Sequence, residues 1–362
     1  VNDDSLRNAK LTALMAATSF ILCSGVMTGN RQMYWMASLL GVLMGGVYLL
    51  VRWQALRVSV SRQLPTEVWE GEPFEVRLRV SLPARAVPLL YRVRDQVATS
   101  LQAEDAPLLV LPSQSRTASY RVIPLRRGEH GIGPLEVWVS DLLGLFEMQR
   151  VVSLTHQVLV LPRPVPLPNR IWEGGGRGRA HQVASRSTFK GEGTDWHGTR
   201  EYTPGDPLRR INWRATARHQ SWHVHQFETS YLAPLLVALE LAPHWHQESE
   251  GIYPDFERAI RHITWLVMEA PRSGIQLYLT GPGWDGVWVE SASRTEVMQA
   301  VRSLARLQPH ASLSLAHQLP MLIQQYAERF LLCLFVPPAE RRYYETLIQP
   351  YLQQGYSLQI YA

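Results

Sequence analysis

Cysteine and lysine are almost missing from this chain. Cys23 and Cys333 are the only thiols in 362 residues, one inside an apolar run and one inside the strand-like stretch Phe330 to Val336. They are poorly placed to meet and neither has metal-ligand spacing, so no disulfide framework is expected. Lys10 and Lys190 are the only lysines, which leaves arginine to carry nearly all the basic charge. Arginine favours planar, bidentate pairing with carboxylate or phosphate. Two motifs are also lacking. Without a terminal Gly-Lys-Ser/Thr, the glycine-rich stretch 173–179 is not a P-loop. Without a Gly-x-Ser-x-Gly elbow, Ser185, Ser187 and Ser221 do not make a serine hydrolase, although histidines lie nearby in sequence. A formal charge of +5 is modest for this length and does not establish nucleic-acid binding.

What is present fits a folded protein of two or three domains, with 46% hydrophobic and 19% charged residues. Two nearly uncharged runs, 11–29 and 33–51, are separated by only Asn30, Arg31 and Gln32. As helices each reaches roughly 28 Å, close to the hydrocarbon thickness of a bilayer. They read as a transmembrane hairpin over residues 1–54. Rival readings are a cleaved signal peptide, a lipoprotein site at Cys23 and a buried helical hairpin. The second run, acting as stop-transfer, argues against the first, and Leu22 in place of a small residue argues against the second. Arg7 and Lys10 before the first run, with Arg52, Arg57 and Arg62 after the second, place both termini in the cytoplasm by the positive-inside rule. The expected location is therefore the inner membrane.

From 55 to 162 the pattern changes to short alternating runs, such as 56–60 and 74–80, divided by Gly/Pro/Glu turns. This predicts an antiparallel β-sandwich with Arg77, Arg79, Arg92 and Arg94 on a solvated face. Proline at every second residue over 162–168 predicts a stiff, extended connector, continued by the glycine-rich stretch as a linker over 163–185. An arginine-rich insertion occupies 186–230. In 231–362 strands and helices alternate: strands near 235–239, 275–279, 286–289, 330–336 and 356–361, with helices between them. That is the signature of an α/β domain with a mainly parallel sheet.

The most specific stretch runs from Thr199 to Arg218. Pro204-Gly205 suits a type II turn, Asp206 an N-cap and Pro207 a first helical position. A helix from there would put Leu208, Ile211 and Ala215 on one face and Arg210, Arg214 and Arg218 on another, with Arg209 placed to stack on Trp213. In one reading Arg200, Arg209 and Arg218 pair with Glu201, Asp206 and Glu228 and brace the domain. In the other, part of the stripe docks an acidic surface or a phosphate of a partner. Both hold for different residues, and Arg210 and Arg214 are the candidates for the partner.

Arg200, Glu201, Tyr202, Thr203, Pro204, Gly205 and Asp206, followed by Arg209, Ile211, Trp213, Ala217 and Arg218, resemble the signature of the bacterial family filed as domain of unknown function 58. The two apolar runs, Arg127-Gly128, Gly133-Pro134 and 141–146 look like that family as well. The resemblance implies a last domain similar to von Willebrand factor A domains. It also implies partnership with a MoxR-type AAA+ ATPase and, in many cases, a transglutaminase-like membrane protein. It establishes no catalytic activity. A metal-binding A domain would carry Asp-x-Ser-x-Ser after its first strand, with oxygens for a hard cation. This chain has Glu240-Leu241-Ala242-Pro243-His244 there, so no adhesion-type metal site and no cofactor is expected. Asn212 stands where the family commonly has aspartate.

His219, His223 and His225, and then His244 and His246, interleave with Trp222 and Trp245. A zinc site is imaginable, but no cysteine supports it and the spacing is not helical. The expected function is a membrane-anchored adaptor for the ATPase. An enzyme using His223, His225 or Glu228 is the alternative from another class. A basic module for anionic lipid or nucleic acid is a third, marked by strong salt dependence.

Overall fold

The computed structural model describes residues 3–81, 89–103, 108–111, 117–168, 190–203, 208, 211–228, 234–248, 252–310, 314–326, 330–354, 356 and 358–362. The chain divides into two compact units, Val1–Leu161 and Pro162–Ala362.

The first unit opens with helices α1 (Asp3–Thr28) and α2 (Arg31–Arg57). Gly29, at φ +67°, and Asn30, whose side chain accepts from the Gln32 amide, make the tight turn between them. Each helix is long and apolar enough to cross a membrane. Phe20, Met27, Trp35, Leu39 and Val42 point outward. Both helices outrun the apolar runs that predict them. The last turns of α2 are held by protein instead, with Val51, Gln54 and Ala55 buried. Arg150 caps the α2 C-terminus by donating to the carbonyls of Ala55, Leu56 and Val58.

Ten strands follow: β1 (Ser59–Gln63), β2 (Glu67–Trp69), β3 (Phe74–Ser81), β4 (Leu90–Val97), β5 (Leu101–Ala103), β6 (Leu108–Leu111), β7 (Thr117–Pro124), β8 (Gly128–Ser140), β9 (Glu147–Val152) and β10 (His156–Leu161). They form a four-stranded sheet, β1-β3-β7-β5, and a six-stranded one, β2-β10-β8-β4-β6 with β9 on β8. One apolar core joins them, with Val76, Leu78 and Val122 from the first sheet and Val93, Val137 and Val158 from the second. The strict alternation of β3 explains why: every second residue is buried, and Arg77 and Arg79 lie on the wet side.

Three sequence expectations change here. Leu56 and Arg57 end α2 and do not begin a strand. The sheets are not wholly antiparallel, since β2 pairs β10 in parallel. And Arg62, read as a cytoplasmic flank, has a fully buried side chain. Its guanidinium donates to Asp95 through Nε (2.9 Å) and Nη2 (2.5 Å), and to the carbonyls of Ile132 and Leu154 through Nη1. Tyr120 donates to the same carboxyl at 2.7 Å. Burial pushes the Asp95 carboxyl up, and the Tyr120 hydroxyl and the Arg62 charge pull it back.

In the second unit, β11 (Lys190–Glu201) and β12 (His223–Glu228) form an antiparallel ribbon, with α3 (Trp213–His219) between them in sequence. Then come β13 (Leu235–Leu239), α4 (Pro254–Glu269), β14 (Leu277–Gly281), β15 (Trp284–Val289), α5 (Arg294–Arg306), α6 (Leu315–Tyr326), β16 (Leu331–Phe335), α7 (Arg341–Gln353) and β17 (Leu358–Tyr361). The sheet order is β15-β14-β13-β16-β17, parallel except for the β15 edge. Strand β13 is buried at every residue because it is central and covered on both faces. The proline run is not a free connector. Val165 donates to the Arg261 carbonyl of α4 and accepts from His262 Nδ1, and Leu167 is buried.

Candidate functional site

Two places in the second unit gather the residues singled out by sequence. The first is the ribbon. Val224 of β12 is buried between two neighbours, Arg200 of β11 and an isolated bridge to Ile211. Asn212 donates its backbone N–H to the His223 carbonyl at 2.8 Å, and Tyr202 donates its own to Trp222 at 2.7 Å. These bonds close the base of the excursion from 203 to 211.

The helix within it differs from the sequence reading. The described helix starts at Trp213, and its N-cap is Asn212, whose Oδ1 accepts from the Ala215 amide at 3.0 Å. Ile211 belongs to the bridge and Leu208 is exposed, so neither anchors a helical face. With Ile211 in a bridge and Asn212 as a non-helical cap, no single helix runs through 211–212 to align the three arginines in one row. Arg214 and Arg218 are on α3 and both are exposed. Pro204, Gly205, Asp206, Pro207, Arg209 and Arg210, and the side chains of Arg200 and Glu228, lie outside the described residues. The proposed pairings that need them, and the stacking of Arg209 on Trp213, lie outside as well.

Sequence reasoning missed the aromatic surface. Trp213 and Trp222 are 68% and 53% exposed, with ring centroids 6.5 Å apart. The ring of Tyr202 lies 5.7 Å from that of Trp222. The capped helix start and the ribbon thus present three aromatic rings, and Arg214 and Arg218 are exposed on the same short helix. Tryptophan, tyrosine and arginine are the residues enriched where binding energy concentrates at protein interfaces. No local pattern announces this surface, because the approach of Tyr202 to Trp222 follows from the pairing of distant segments.

Among the described residues the histidines do not assemble a centre, and the side chain of His219 lies outside them. His223 and His225 share one face of β12, opposite the buried Val224. His223 Nδ1 is 2.8 Å from the Ser221 carbonyl, so that nitrogen carries the proton. It therefore cannot take one from the Ser221 hydroxyl 3.5 Å away. His244 pairs with Glu340 at 2.7 Å, while the intervening Trp245 is buried and donates to the Glu240 carbonyl. Among the described residues no three His, Cys, Asp or Glu side chains converge.

The second place is the C-terminal end of β13, where the chain leaves the central strand and the sheet grows to either side. Ligands of α/β sheets bind at such switch points. Here the position is filled by Glu240, fully buried. Its Oε1 accepts from the Ala242 amide at 2.8 Å. Its Oε2 accepts from the Leu315 amide (2.9 Å), the Ser314 hydroxyl (2.8 Å) and the Tyr344 phenol (2.5 Å). Burial, with the bond to Glu240, pushes the Tyr344 phenol well above the usual tyrosine value. Gly281 keeps the next strand close, since a Cβ there would lie 2.8 Å from the Leu239 carbonyl. These residues do not fit a hard divalent cation: both oxygens of Glu240 are engaged by protein donors, and Ala242 has none to offer.

The family model described as Protein of unknown function DUF58 matches residues 198–332, from the ribbon to the strand β16. Helices α1 and α2 and the ten strands of the first unit lie outside that match. The chain is similar to the uncharacterized protein YeaD of Bacillus subtilis (strain 168), 27% identical over 207 residues. The similarity covers 53% of this chain and 50% of that protein, so the chain spans about half the length of the curated relative it matches. Among solved structures it is similar to a conjugative transposon lipoprotein from Bacteroides eggerthii, at 15% identity and a TM-score of 0.20, covering 28% of this chain and 95% of that one. It is also similar to a cohesin module of a Clostridium perfringens family 33 glycoside hydrolase, at 15% identity and a TM-score of 0.21, covering 28% and 96%. Likenesses at that level carry no argument about function.

Proposed function

We propose that this chain is a DUF58-family interaction protein, anchored by α1 and α2 with both ends of the hairpin on the cytoplasmic side. Its ribbon docks a MoxR-type AAA+ ATPase, and a transglutaminase-like membrane protein is a second expected partner. The role is that of an adaptor in envelope maturation or complex assembly. In this reading the first unit is a β-sandwich spacer and the last a degenerate A-like domain. The sheet order, with the first strand central and an antiparallel β15 at one edge, supports the A-like assignment. The engagement of Glu240 by four protein donors favours a structural role for the strand end where an adhesion domain would hold metal.

One observation carries the adaptor reading: Trp213 and Trp222 are held exposed, side by side, on a base closed by backbone hydrogen bonds. Large aromatic rings in water are unfavourable unless a partner covers them. The arginines beside them suit an acidic or carboxylate-rich partner surface. The test is capture of the purified ATPase by the full chain in detergent. Trp213→Ala with Trp222→Ala is expected to weaken capture by about 30-fold or more, in line with the roughly 2 kcal/mol of a hot-spot tryptophan. Arg214→Glu with Arg218→Glu should weaken it further as salt falls, by like-charge repulsion. Unchanged binding in both variants would reject the ribbon as the docking surface.

A further inference from the structure

The connection between β8 and β9 is a built turn whose apolar tip is exposed. Asp141 is buried and accepts from the amides of Leu143 (2.9 Å), Leu145 (2.8 Å) and Phe146 (2.7 Å). Gly144, at φ +65°, donates to the Asp141 carbonyl. With the backbone fixed in this way, Leu142 and Leu143 are held outward, 65% and 69% exposed. A turn so fully hydrogen-bonded is not a loose loop that could fold its leucines back. Its sequence spends two adjacent large apolar side chains on a place where polar residues would serve a water-facing turn better.

The turn lies against the helical hairpin. Phe146, which closes the turn, packs edge-on against Tyr48 of α2 at 5.6 Å. Near the other end of the hairpin, a Cβ on Gly25 would lie 3.1 Å from that of Met33. Counting equal numbers of residues back from that contact along the two antiparallel helices brings Tyr48 level with Lys10. From the Gly29 turn to Lys10 is roughly 28 Å of helix, close to the ~30 Å of a bilayer core. Tyrosine and lysine at that level are the residue types of a membrane–water boundary. Glu147, next in sequence to Phe146, pairs with Arg7 of α1 and with Arg92, which puts a charged cluster just beside the turn. On α2 the exposed Leu43 and Leu49 flank Tyr48 in sequence.

We propose that the 141–146 turn is a membrane-insertion loop: Leu142 and Leu143 enter the boundary between lipid headgroups and acyl chains beside α2. The turn is a third attachment point that fixes the orientation of the β-rich unit on the membrane. The inference rests on α1 and α2 spanning the bilayer.

The test uses the full chain reconstituted in phosphatidylcholine vesicles whose acyl chains carry bromine. An environment-sensitive fluorophore is attached at Leu143→Cys in a Cys23→Ala background. Cys333 is fully buried and unreactive. The control is Leu125→Cys, an exposed leucine just before the opposite end of β8, roughly 40 Å away along that strand. A second control labels native Cys23, exposed within α1. The expected result is a blue shift and loss of most emission to bromolipid at positions 143 and 23, with position 125 quenched only by aqueous iodide. If position 23 is quenched by bromolipid while 143 behaves like 125, the insertion loop is overturned and the anchor stands. If neither 23 nor 143 is quenched, the anchor itself fails and the loop with it. A photocrosslinker at 143 that captures a protein instead of lipid in native membranes would also overturn the proposal.

Discussion

The phenol of Tyr344 donates a 2.5 Å hydrogen bond to Glu240 across 104 residues of chain, joining α7 to the end of the central strand. Ser314 and the first amide of α6 meet the same oxygen. One carboxyl therefore ties three elements together. Tyr344→Phe removes the donor to Glu240 and the phenol oxygen that accepts from the Ala316 amide, and should cost about 1–2 kcal/mol of stability. Glu240→Leu leaves two amides and two hydroxyls without an acceptor and should cost more than about 3 kcal/mol. Urea unfolding of the full chain in detergent measures both, and equal losses would deny Glu240 its central role.

The buried tyrosines give the protein an alkaline limit. Burial raises Tyr91, Tyr120 and Tyr344 above the ordinary value, with the Asp95 charge adding to the effect at Tyr120 and Glu240 at Tyr344. A raised phenol favours the neutral form in the folded state. Its contribution is therefore full below about pH 10 and is lost as pH rises past that value, where the unfolded chain ionises first. Tyrosinate absorbance and circular dichroism followed together should show these tyrosines titrating only as structure is lost. Full ionisation with the fold intact would contradict the burial.

Asn212 caps a helix of only seven residues, so its effect should be local. Asn212→Ala should cost about 1 kcal/mol of helix stability. Asn212→Asp should retain or slightly improve it, since a carboxylate caps as well and its charge suits a helix N-terminus. Amide exchange at Ala215 and Thr216 is the readout, with protection falling in the first variant and holding in the second.

Arg62 and Arg77 lie in adjacent strands, and their substitutions should diverge. Arg62→Ala strands a buried carboxyl and two carbonyls and should cost about 3–5 kcal/mol. Arg62→Lys should recover only part, because one ammonium cannot reproduce the Nε, Nη1 and Nη2 fork. Arg77 pairs with Glu75 in solvent, and Arg77→Ala should leave the unfolding midpoint unchanged.

Much of the architecture was legible because it is written in local periodicity. Two uncharged runs gave two apolar helices, alternation gave β3, and the turn from alternation to α/β rhythm gave the parallel sheet. The continuously apolar Leu235–Leu239 read as a buried strand for the reason that it is one: both faces are covered. The candidate site was less legible. Pro204-Gly205-Asp206-Pro207, with every local mark of a helix start, lies outside the described residues, and the described helix begins at Trp213, after Ile211 is claimed by a bridge to Val224. Asn212, read from sequence as a lost charge, is the cap.

By itself the sequence determined where apolar surface must be hidden, which kind of element dominates each region and which stretch carries the family signature. These follow from the spacing of side chains along one element. Tertiary structure alone decided what meets across distance: Arg62 with Asp95, Glu240 with Tyr344, and Trp213 beside Trp222 on an exposed face. Such pairings depend on strand register and on which side of the core each element packs. A one-residue shift in register would send the same side chain to the opposite face, and no local pattern encodes that choice.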